Sequence, residues 1–185
     1  MAYDVIVIGG GPAGASAALF LGRAKLSVAL IDADAGMTRR ALVHNHLGLD
    51  VVKGPDLVET GWAQAEKAGA KRVKAKIVDA ADHFVLTAED GSKYEAKQIV
   101  FATAVSLDVA KKLGVSSKPG IEPHIKEVLV VDGNGKTNVD GVWAAGVVAG
   151  SSVHTIITAG DGARVAINLL SAGKGARYAD HDVLK

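Results

Sequence analysis

The sequence predicts an α/β protein with a doubly wound parallel sheet and a small antiparallel β-meander. Two observations predict the sheet. Short β-branched runs alternate with Ala- and Leu-rich runs of helical length, which is the pattern of βαβ units. The first β-branched run also leads directly into three glycines, where a buried strand would turn into a helix. A third observation, short strand-forming runs on both sides of an Asp-Gly turn, predicts the meander.

The first βαβ unit explains the N-terminal part of the chain. Residues 3–8 are predicted as a buried strand, residues 12–25 as a helix and residues 26–31 as a second strand. Pro12 suits the first turn of a helix, because its missing N–H would have no partner there. The whole unit is about 30 residues long, which is the expected size.

The later elements follow from turn residues and apolar runs. Residues 55–68 are predicted as a helix opened by Pro55 and closed by Gly69. The meander is expected over 72–78, 84–88 and 94–96, with "EDGS" as a hairpin turn. Further buried strands are expected over 98–102, 128–131 and 142–145, and a long helix over 153–170. We expect residues 1–172 to form a single dinucleotide-binding domain and residues 173–185 a polar tail.

Composition excludes several classes of function. The chain of 185 residues has a net charge of +1 and no cysteine. The absence of cysteine excludes disulfides, a redox dithiol and thiolate metal sites within this sequence, and it fits a cytoplasmic location. The balanced charge argues against nucleic acid and anionic membranes as partners, and no apolar run is long enough to span a bilayer.

The strongest motif is "GGGPAG", in which Gly9, Gly11 and Gly14 stand in G-x-G-x-x-G register. Gly9 would make the tight turn, Gly11 would let a pyrophosphate approach, and Gly14 would let the helix pack on the strand. Asp32 ends the next predicted strand, where an acid receives a ribose hydroxyl. This arrangement predicts a Rossmann-like dinucleotide site, and the alternative is a glycine-rich turn in a fold without a ligand.

The chain resembles the FAD domain of the thioredoxin reductase family, within the pyridine nucleotide-disulfide oxidoreductases. The resemblance rests on "DVIVIGGGPAGASAALFLGRAKLSVALID", "HNHLGLDVVKGPDLVETGWAQAEKAGAK", "EDGSKYEAKQIVFATAVS" and "TNVDGVWAAGVVAG", in family order. It implies FAD as the cofactor. The residues that it assigns to FAD are Gly9, Gly11, Pro12, Ala13, Gly14, Asp32, Ala33, Arg40, Asn45, Ile77, Ala102, Thr103, Gly146, Val147, His154 and Thr155.

Several of these assignments stay open at the level of sequence. His154 and Thr155 would meet the flavin pyrimidine edge at a helix start, but a solvent-exposed histidine is an equal alternative. Arg39 or Arg40 would reach the nucleotide, although surface arginines are common. His44 and His46 lack further metal ligands nearby, so we expect no metal site. Trp62 is expected to be a packing residue of its helix.

Two departures from the family limit the expected function. The family inserts an NADPH-binding domain, which carries its CxxC, after the strand that ends here near Thr103. In this chain only residues 107–127 separate Ser106 from the next predicted strand, which is too short for a second βαβ domain. The chain is therefore not expected to act alone as a thioredoxin reductase, and we assign it no catalytic residue.

The second departure is Val147, which stands where the family carries an Asp that accepts a hydrogen bond from the ribityl chain. An unpaired ribityl hydroxyl would cost about 1–3 kcal/mol, offset in part by weaker repulsion with the phosphates. We therefore expect FAD binding to be weakened rather than abolished.

Three functions are consistent with this sequence. The first is a minimal flavoprotein that exchanges electrons through FAD with a protein or small-molecule donor and acceptor. The second is a non-catalytic regulatory or structural module that binds FAD or ADP. The third is NAD binding through Asp32, which the C-terminal resemblance disfavours. A homodimer is compatible with all three.

Overall fold

A computed structural model describes residues 2–81 and 84–183 of the chain. In chain order its elements are β1 (Tyr3–Ile8), α1 (Pro12–Arg23), β2 (Val28–Asp32), β3 (Leu42–Val43), β4 (Val52–Lys53), α2 (Gly54–Lys67), β5 (Lys71–Lys74), β6 (Ile77–Ala81), β7 (Val85–Ala88), β8 (Lys93–Phe101), α3 (Asp108–Lys112), β9 (Ser117–Pro119), β10 (Glu127–Leu129), β11 (Val142–Ala144) and α4 (Thr155–Lys174). Short 3-10 turns cover Met37–Arg40 and Gly146–Ala149.

The main sheet is parallel and continues into the antiparallel meander through one shared strand. The parallel part has the order β5-β2-β1-β8-β11, and β8 also pairs antiparallel with β7, which pairs with β6. The first residues of β8 pair with β7, whereas its last residues lie between β1 and β11. These features confirm the Rossmann-like α/β fold with a small meander that the sequence predicts.

Side chains that alternate along β1 reach two different cores. Val5 and Val7 pack with α1, α2 and α4 in one apolar cluster. Ile6 and Ile8 pack with the meander and α3 in the other. Because consecutive side chains of a strand point to opposite faces, a strand covered on both faces must be apolar throughout. This explains the unbroken run "VIVI".

Two predicted strand assignments differ from the structure. The predicted strand 72–78 is two strands: β5 pairs with β2 in the parallel sheet, and β6 begins the meander. The chain bends between them where the Ala75 N–H bonds to the Asp32 carbonyl, 3.0 Å away. Conversely, the predicted strands 94–96 and 98–102 form the single strand β8, because nothing at Lys97 interrupts the backbone pairing.

Several short elements are absent from the sequence-based expectation. They are β3, β4, α3 and β9, each five residues long or shorter. The expected strand 128–131 corresponds to β10, which pairs only with β9 among the described strands. Residues 107–127 therefore hold one short helix and most of one hairpin.

The C-terminal residues turn back onto the domain. Helix α4 runs to Lys174 and ends at Gly175, which has a φ of +66°. Beyond it, Asp180 accepts two hydrogen bonds from Arg23, at 2.5 and 2.7 Å, and Tyr178 packs against the helical cluster. No helix of the described residues combines the length and apolar character needed to cross a membrane.

Candidate nucleotide-binding site

The candidate site lies where the main sheet reverses its winding. From β1 the chain passes through α1 to β2 on one side, and β8 lies on the other side of β1. In open α/β sheets, ligands bind in the crevice at the carboxyl ends of strands at such a point. Residues 9–14, here called the glycine loop, follow β1 directly and enter this crevice.

Packing within the protein accounts for Gly9 and Gly14. Gly9 has a φ of +105°, and a Cβ there would lie 2.3 Å from the Ala102 carbonyl oxygen. A Cβ on Gly14 would lie 1.7 Å from the Gly9 carbonyl oxygen. Neither position can carry a side chain, because the loop, α1 and the end of β8 approach one another too closely.

Gly11 is different, because nothing in the protein requires a glycine there. Its φ of −69° and ψ of −176° are open to any residue. A Cβ on Gly11 would meet no atom of the protein within 4 Å. The residue therefore leaves an open space directly at the start of α1, which fits a pyrophosphate group that must approach the backbone.

The N-terminus of α1 has no internal partner for a negative charge. Pro12 opens the helix, Gly11 is its cap, no side chain caps it, and its first turn contains no acidic residue. Ala13 is buried in this first turn. Free N–H groups and the positive end of the helix dipole at such a terminus stabilise a bound phosphate.

Asp32 is held in a fixed orientation at the end of β2. Its Oδ1 accepts a hydrogen bond from the Gly10 N–H at 2.8 Å, and its Oδ2 accepts one from the Asp34 N–H at 2.9 Å. Each carboxylate oxygen can accept a further hydrogen bond. The half-buried carboxylate therefore has capacity for ribose hydroxyls, while the exposed Ala33 beside it leaves access to solvent.

The two arginines of the turn after β2 have different surroundings. Arg39 forms ion pairs with Asp34 and Glu59, whereas the predicted Arg40 is exposed. The Arg39 guanidinium, which hydrogen-bonds to Glu59, lowers the pKa of that carboxyl below its ordinary value, and Arg72 adds to the effect. Of the two arginines, Arg40 therefore has the side chain that is exposed to solvent.

Three further predicted residues lie at the start of β6 and in the turn after β8. Ile77 is buried at the start of β6, just after the bend that bonds to Asp32. Ala102 follows β8, and its N–H bonds to the Ile8 carbonyl at 2.8 Å. Thr103 donates from its hydroxyl to the Ser106 carbonyl at 2.5 Å, which closes the turn after β8.

The other end of the crevice brings the start of α4 to the loop between β3 and β4. His154 caps α4 through its backbone conformation, and its Nδ1 lies 2.8 Å from the Ser152 hydroxyl. Thr155 is buried, and its hydroxyl lies 3.0 Å from the His46 Nδ1. Asn45 is exposed beside His46.

Val147 lies in an apolar setting. It is 8% exposed and forms a small cluster with Ile125 and Val128, here called the valine cluster. Its neighbour Gly146 has a φ of +78°, and the Gly146 N–H bonds to Asp161 on α4 at 2.7 Å. The side chain that replaces the expected acid therefore packs against the β9–β10 hairpin.

Two residues near the site were not among the predicted ones. Trp62 donates its indole N–H to the Gly10 carbonyl at 2.6 Å, so it contacts the glycine loop as well as packing in α2. Asp161 holds both the Gly146 N–H and the Ser151 hydroxyl, each at 2.7 Å. The sequence gives a signal only for the first: Gly10 is an extra glycine that the motif does not need.

Metal binding finds no support in the side chains. Among residues 2–81 and 84–183, no group of three or more His, Cys, Asp or Glu side chains could hold a metal ion.

Residues 3–107 match the family model described as pyridine nucleotide-disulphide oxidoreductase. The chain belongs to this family. The chain is 37% identical to thioredoxin reductase of Listeria monocytogenes over 123 residues, which cover 63% of this chain and 37% of the Listeria protein. Thioredoxin reductase of Bacillus subtilis is 34% identical over 120 residues, covering 61% and 36%. The chain thus matches little more than a third of these relatives.

Solved structures extend the similarity in fold beyond the sequence match. An oxidoreductase from Agrobacterium tumefaciens superposes with a TM-score of 0.82 at 18% identity, over 94% of this chain and 99% of that one. An atypical thioredoxin reductase from Desulfovibrio vulgaris also gives 0.82, at 19% identity, over 93% and 98%. The fold of the family member is therefore that of a thioredoxin reductase-like domain.

Membership of this family indicates FAD as the cofactor. The residues of the glycine loop fit this group, because the open space at Gly11, the uncapped N-terminus of α1 and the spare acceptor capacity of Asp32 suit a dinucleotide. The fit is good at the adenosine and phosphate end. At Val147 the side chain offers no polar atom.

Proposed function

We propose that this family member is a minimal flavoprotein of the thioredoxin reductase-like type. It binds FAD through residues 9–14 and Asp32, and it serves an oxidoreductase reaction whose second redox partner is held elsewhere. The observation that carries the proposal is Gly11, a glycine that neither backbone conformation nor packing requires. A ligand that approaches the backbone at this point accounts for it.

The proposed roles of the residues follow from their positions. The free N–H groups at the start of α1 would bind the pyrophosphate. The Asp32 carboxylate, already fixed by two backbone N–H groups, would accept hydrogen bonds from the ribose. The start of α4 near His46 and Thr155 would face the flavin, where the positive helix end favours negative charge. Bound FAD would supply the redox chemistry, which no side chain here can supply.

The proposal requires that the electron donor is held outside residues 1–172. Residues 107–127 hold only α3, β9 and the turn into β10, which is too little for a second βαβ domain. A nicotinamide would therefore meet no dedicated site in this segment. A partner protein or a small molecule would bring or take the electrons at the exposed side of the crevice.

A second candidate function has one observation in its favour. The valine cluster buries the side chain at position 147 against Ile125 and Val128. A site with a polar adenosine end and an apolar far end suits a module that binds the ADP part of a nucleotide more firmly than the flavin part. Such a module would be regulatory or structural rather than catalytic.

Titration and reduction experiments distinguish these two functions. The minimal flavoprotein should be yellow as purified, or bind FAD more tightly than ADP, and NADPH should reduce it slowly without saturation at micromolar concentrations, because no site holds the donor. A colourless protein that binds ADP and not FAD would support the second function. Rapid, saturable reduction by NADPH would contradict the proposed absence of a nicotinamide site.

A further inference from the structure

The backbone of Gly10 in the glycine loop is held by hydrogen bonds on both sides of its Cα atom. Its N–H donates to the Asp32 Oδ1 at 2.8 Å, and its carbonyl accepts from the Trp62 indole at 2.6 Å. The indole is 1% exposed, so water cannot replace it as the donor. The backbone of this one residue therefore connects α2 to the carboxylate that is proposed to bind the ribose.

Gly10 and Trp62 also fit each other sterically. A Cβ on Gly10 would lie 2.4 Å from Cζ2 of the indole ring and 2.6 Å from Nε1. The φ of Gly10 is not in the left-handed region, so the backbone alone does not demand a glycine. The indole that lies against Gly10 therefore explains why this position is a glycine.

Two arginine side chains lie over the indole ring of Trp62. The guanidinium carbon of Arg72 lies 3.5 Å from the ring centroid, and that of Arg39 lies 5.5 Å away. Glu59 pairs with both arginines at 2.9 Å. Cations over a tryptophan face stabilise its position, and the shared carboxylate keeps the two arginines beside it.

We propose that Trp62 is a positioning residue that fixes the glycine loop and, through the backbone of Gly10, the orientation of the Asp32 carboxylate for a nucleotide with an ADP part. This inference rests on the proposed function, since it concerns the same site. Trp62 does not touch the ligand itself. It holds the carbonyl of Gly10, the residue whose N–H holds Asp32, so its removal lets the loop and the carboxylate leave the geometry that binding requires.

The Trp62→Phe variant tests this proposal, with Trp143→Phe as the matched control. Trp143 is likewise buried, and its indole donates to the Gln98 Oε1 at 2.9 Å, away from the glycine loop. Both variants should lower the thermal unfolding midpoint. Only Trp62→Phe should weaken ADP and FAD binding in calorimetric titration, by about fivefold to tenfold, the loss expected for one hydrogen bond.

A double-mutant cycle shows whether Trp62 acts through Asp32. In an Asp32→Ala background, which removes the acceptor of the Gly10 N–H, the effect of Trp62→Phe on ADP affinity should shrink to less than about twofold, because the two residues would act as a unit. Full additivity would overturn the proposed route. Equal ADP affinity of Trp62→Phe and wild type would overturn the proposal itself.

A spectroscopic measurement covers the case in which Trp62→Phe does not fold. The sequence has two tryptophans, so in Trp143→Phe the emission reports Trp62 alone. ADP should shift or quench this emission, and an emission unchanged at saturating ADP would overturn the proposal. If wild type binds neither ADP nor FAD, the proposed function is wrong. If wild type binds but Trp62→Phe binds equally well, only the role proposed for Trp62 is wrong.

Discussion

The two ends of the crevice differ in how they are built. At the glycine loop, hydrogen bonds connect the Trp62 indole to the backbone of Gly10, and the Asp32 carboxylate to the backbone N–H groups of Gly10 and Asp34. At the valine cluster, Val147 carries an aliphatic side chain that packs against the β9–β10 hairpin. The first end is arranged for a charged and hydroxylated ligand, whereas the second is stabilised by apolar burial.

This difference teaches that the two halves of a dinucleotide site can diverge independently. Binding of an ADP group needs only the glycine loop, the start of α1 and one acid, all within the first βαβ unit. The far end comes from β11 and α4, more than a hundred residues later. If the site binds FAD as proposed, a substitution at the far end should change contacts to the flavin part and leave those to the ADP part intact.

The largest effect on the comparison is expected from Gly11→Ala. The added Cβ meets open space in the protein, so the fold should be retained, but it occupies the space proposed for the pyrophosphate. Affinity for FAD and for ADP should fall by about tenfold to a hundredfold, as for overpacking of 1–3 kcal/mol. Calorimetric titration measures both affinities. Gly133→Ala, also in open space, should change neither, and unaltered binding by Gly11→Ala would place the ligand elsewhere.

A smaller effect is expected from Asp32→Ala. The variant loses the proposed ribose hydrogen bonds and frees the Gly10 N–H, so FAD binding should weaken by about 1–2 kcal/mol. Asp4→Ala is the matched control, because Asp4 also accepts a backbone N–H, that of Ser27 at 2.9 Å. The control should affect thermal stability only. FAD affinity that survives Asp32→Ala would show that Asp32 does not hold the ribose.

Val147→Asp tests the apolar end. The carboxylate would be placed against Ile125 and Val128, so the free energy of unfolding should fall by about 1–3 kcal/mol. If the ribityl chain passes here, the ratio of FAD affinity to ADP affinity should rise about fivefold, the worth of one hydrogen bond. Paired titrations with FAD and ADP give this ratio.

The control for this variant is Val128→Asp, which puts the same charge into the valine cluster from the hairpin. It should destabilise the protein without raising the ratio. Equal changes in FAD and ADP affinity for Val147→Asp would mean that position 147 has no part in FAD binding.

The smallest effect is expected at the ion pairs beside the indole. The pKa of Glu59 is lowered by Arg39 and then Arg72, so these pairs stabilise the fold above the ordinary value of 4.5 and cease to do so as the pH falls through the lowered pKa. Glu59→Gln should cost less than about 1 kcal/mol at pH 7, as is typical of exposed pairs. Urea unfolding of variant and wild type should converge at acidic pH. A difference that persists there would assign the effect to packing.

Local sequence determined the first βαβ unit and its motif. The run "VIVIGGGPAG" predicts the strand, the turn and the helix start, and the structure has β1 and α1 at these residues. Such elements are predictable because their patterns are local: β-branched residues favour buried strands, and glycine and proline fix turns. Asp32 at the end of β2 follows from the same unit.

Tertiary contacts decided what the sequence left open. The sequence predicts one strand over 72–78, yet β5 joins the parallel sheet and β6 the meander, because separate partner strands are available to each. Trp62 reads as a core residue of an amphipathic helix, and only its position against Gly10 reveals a hydrogen bond to the glycine loop. The apolar setting of Val147 likewise depends on Ile125 and Val128, which lie about twenty residues away in the chain. They belong to a short hairpin of which the sequence predicts only the second strand. Periodicity reports which residues are buried, but contact between residues distant in sequence depends on how the elements pack, and that is a property of the whole fold.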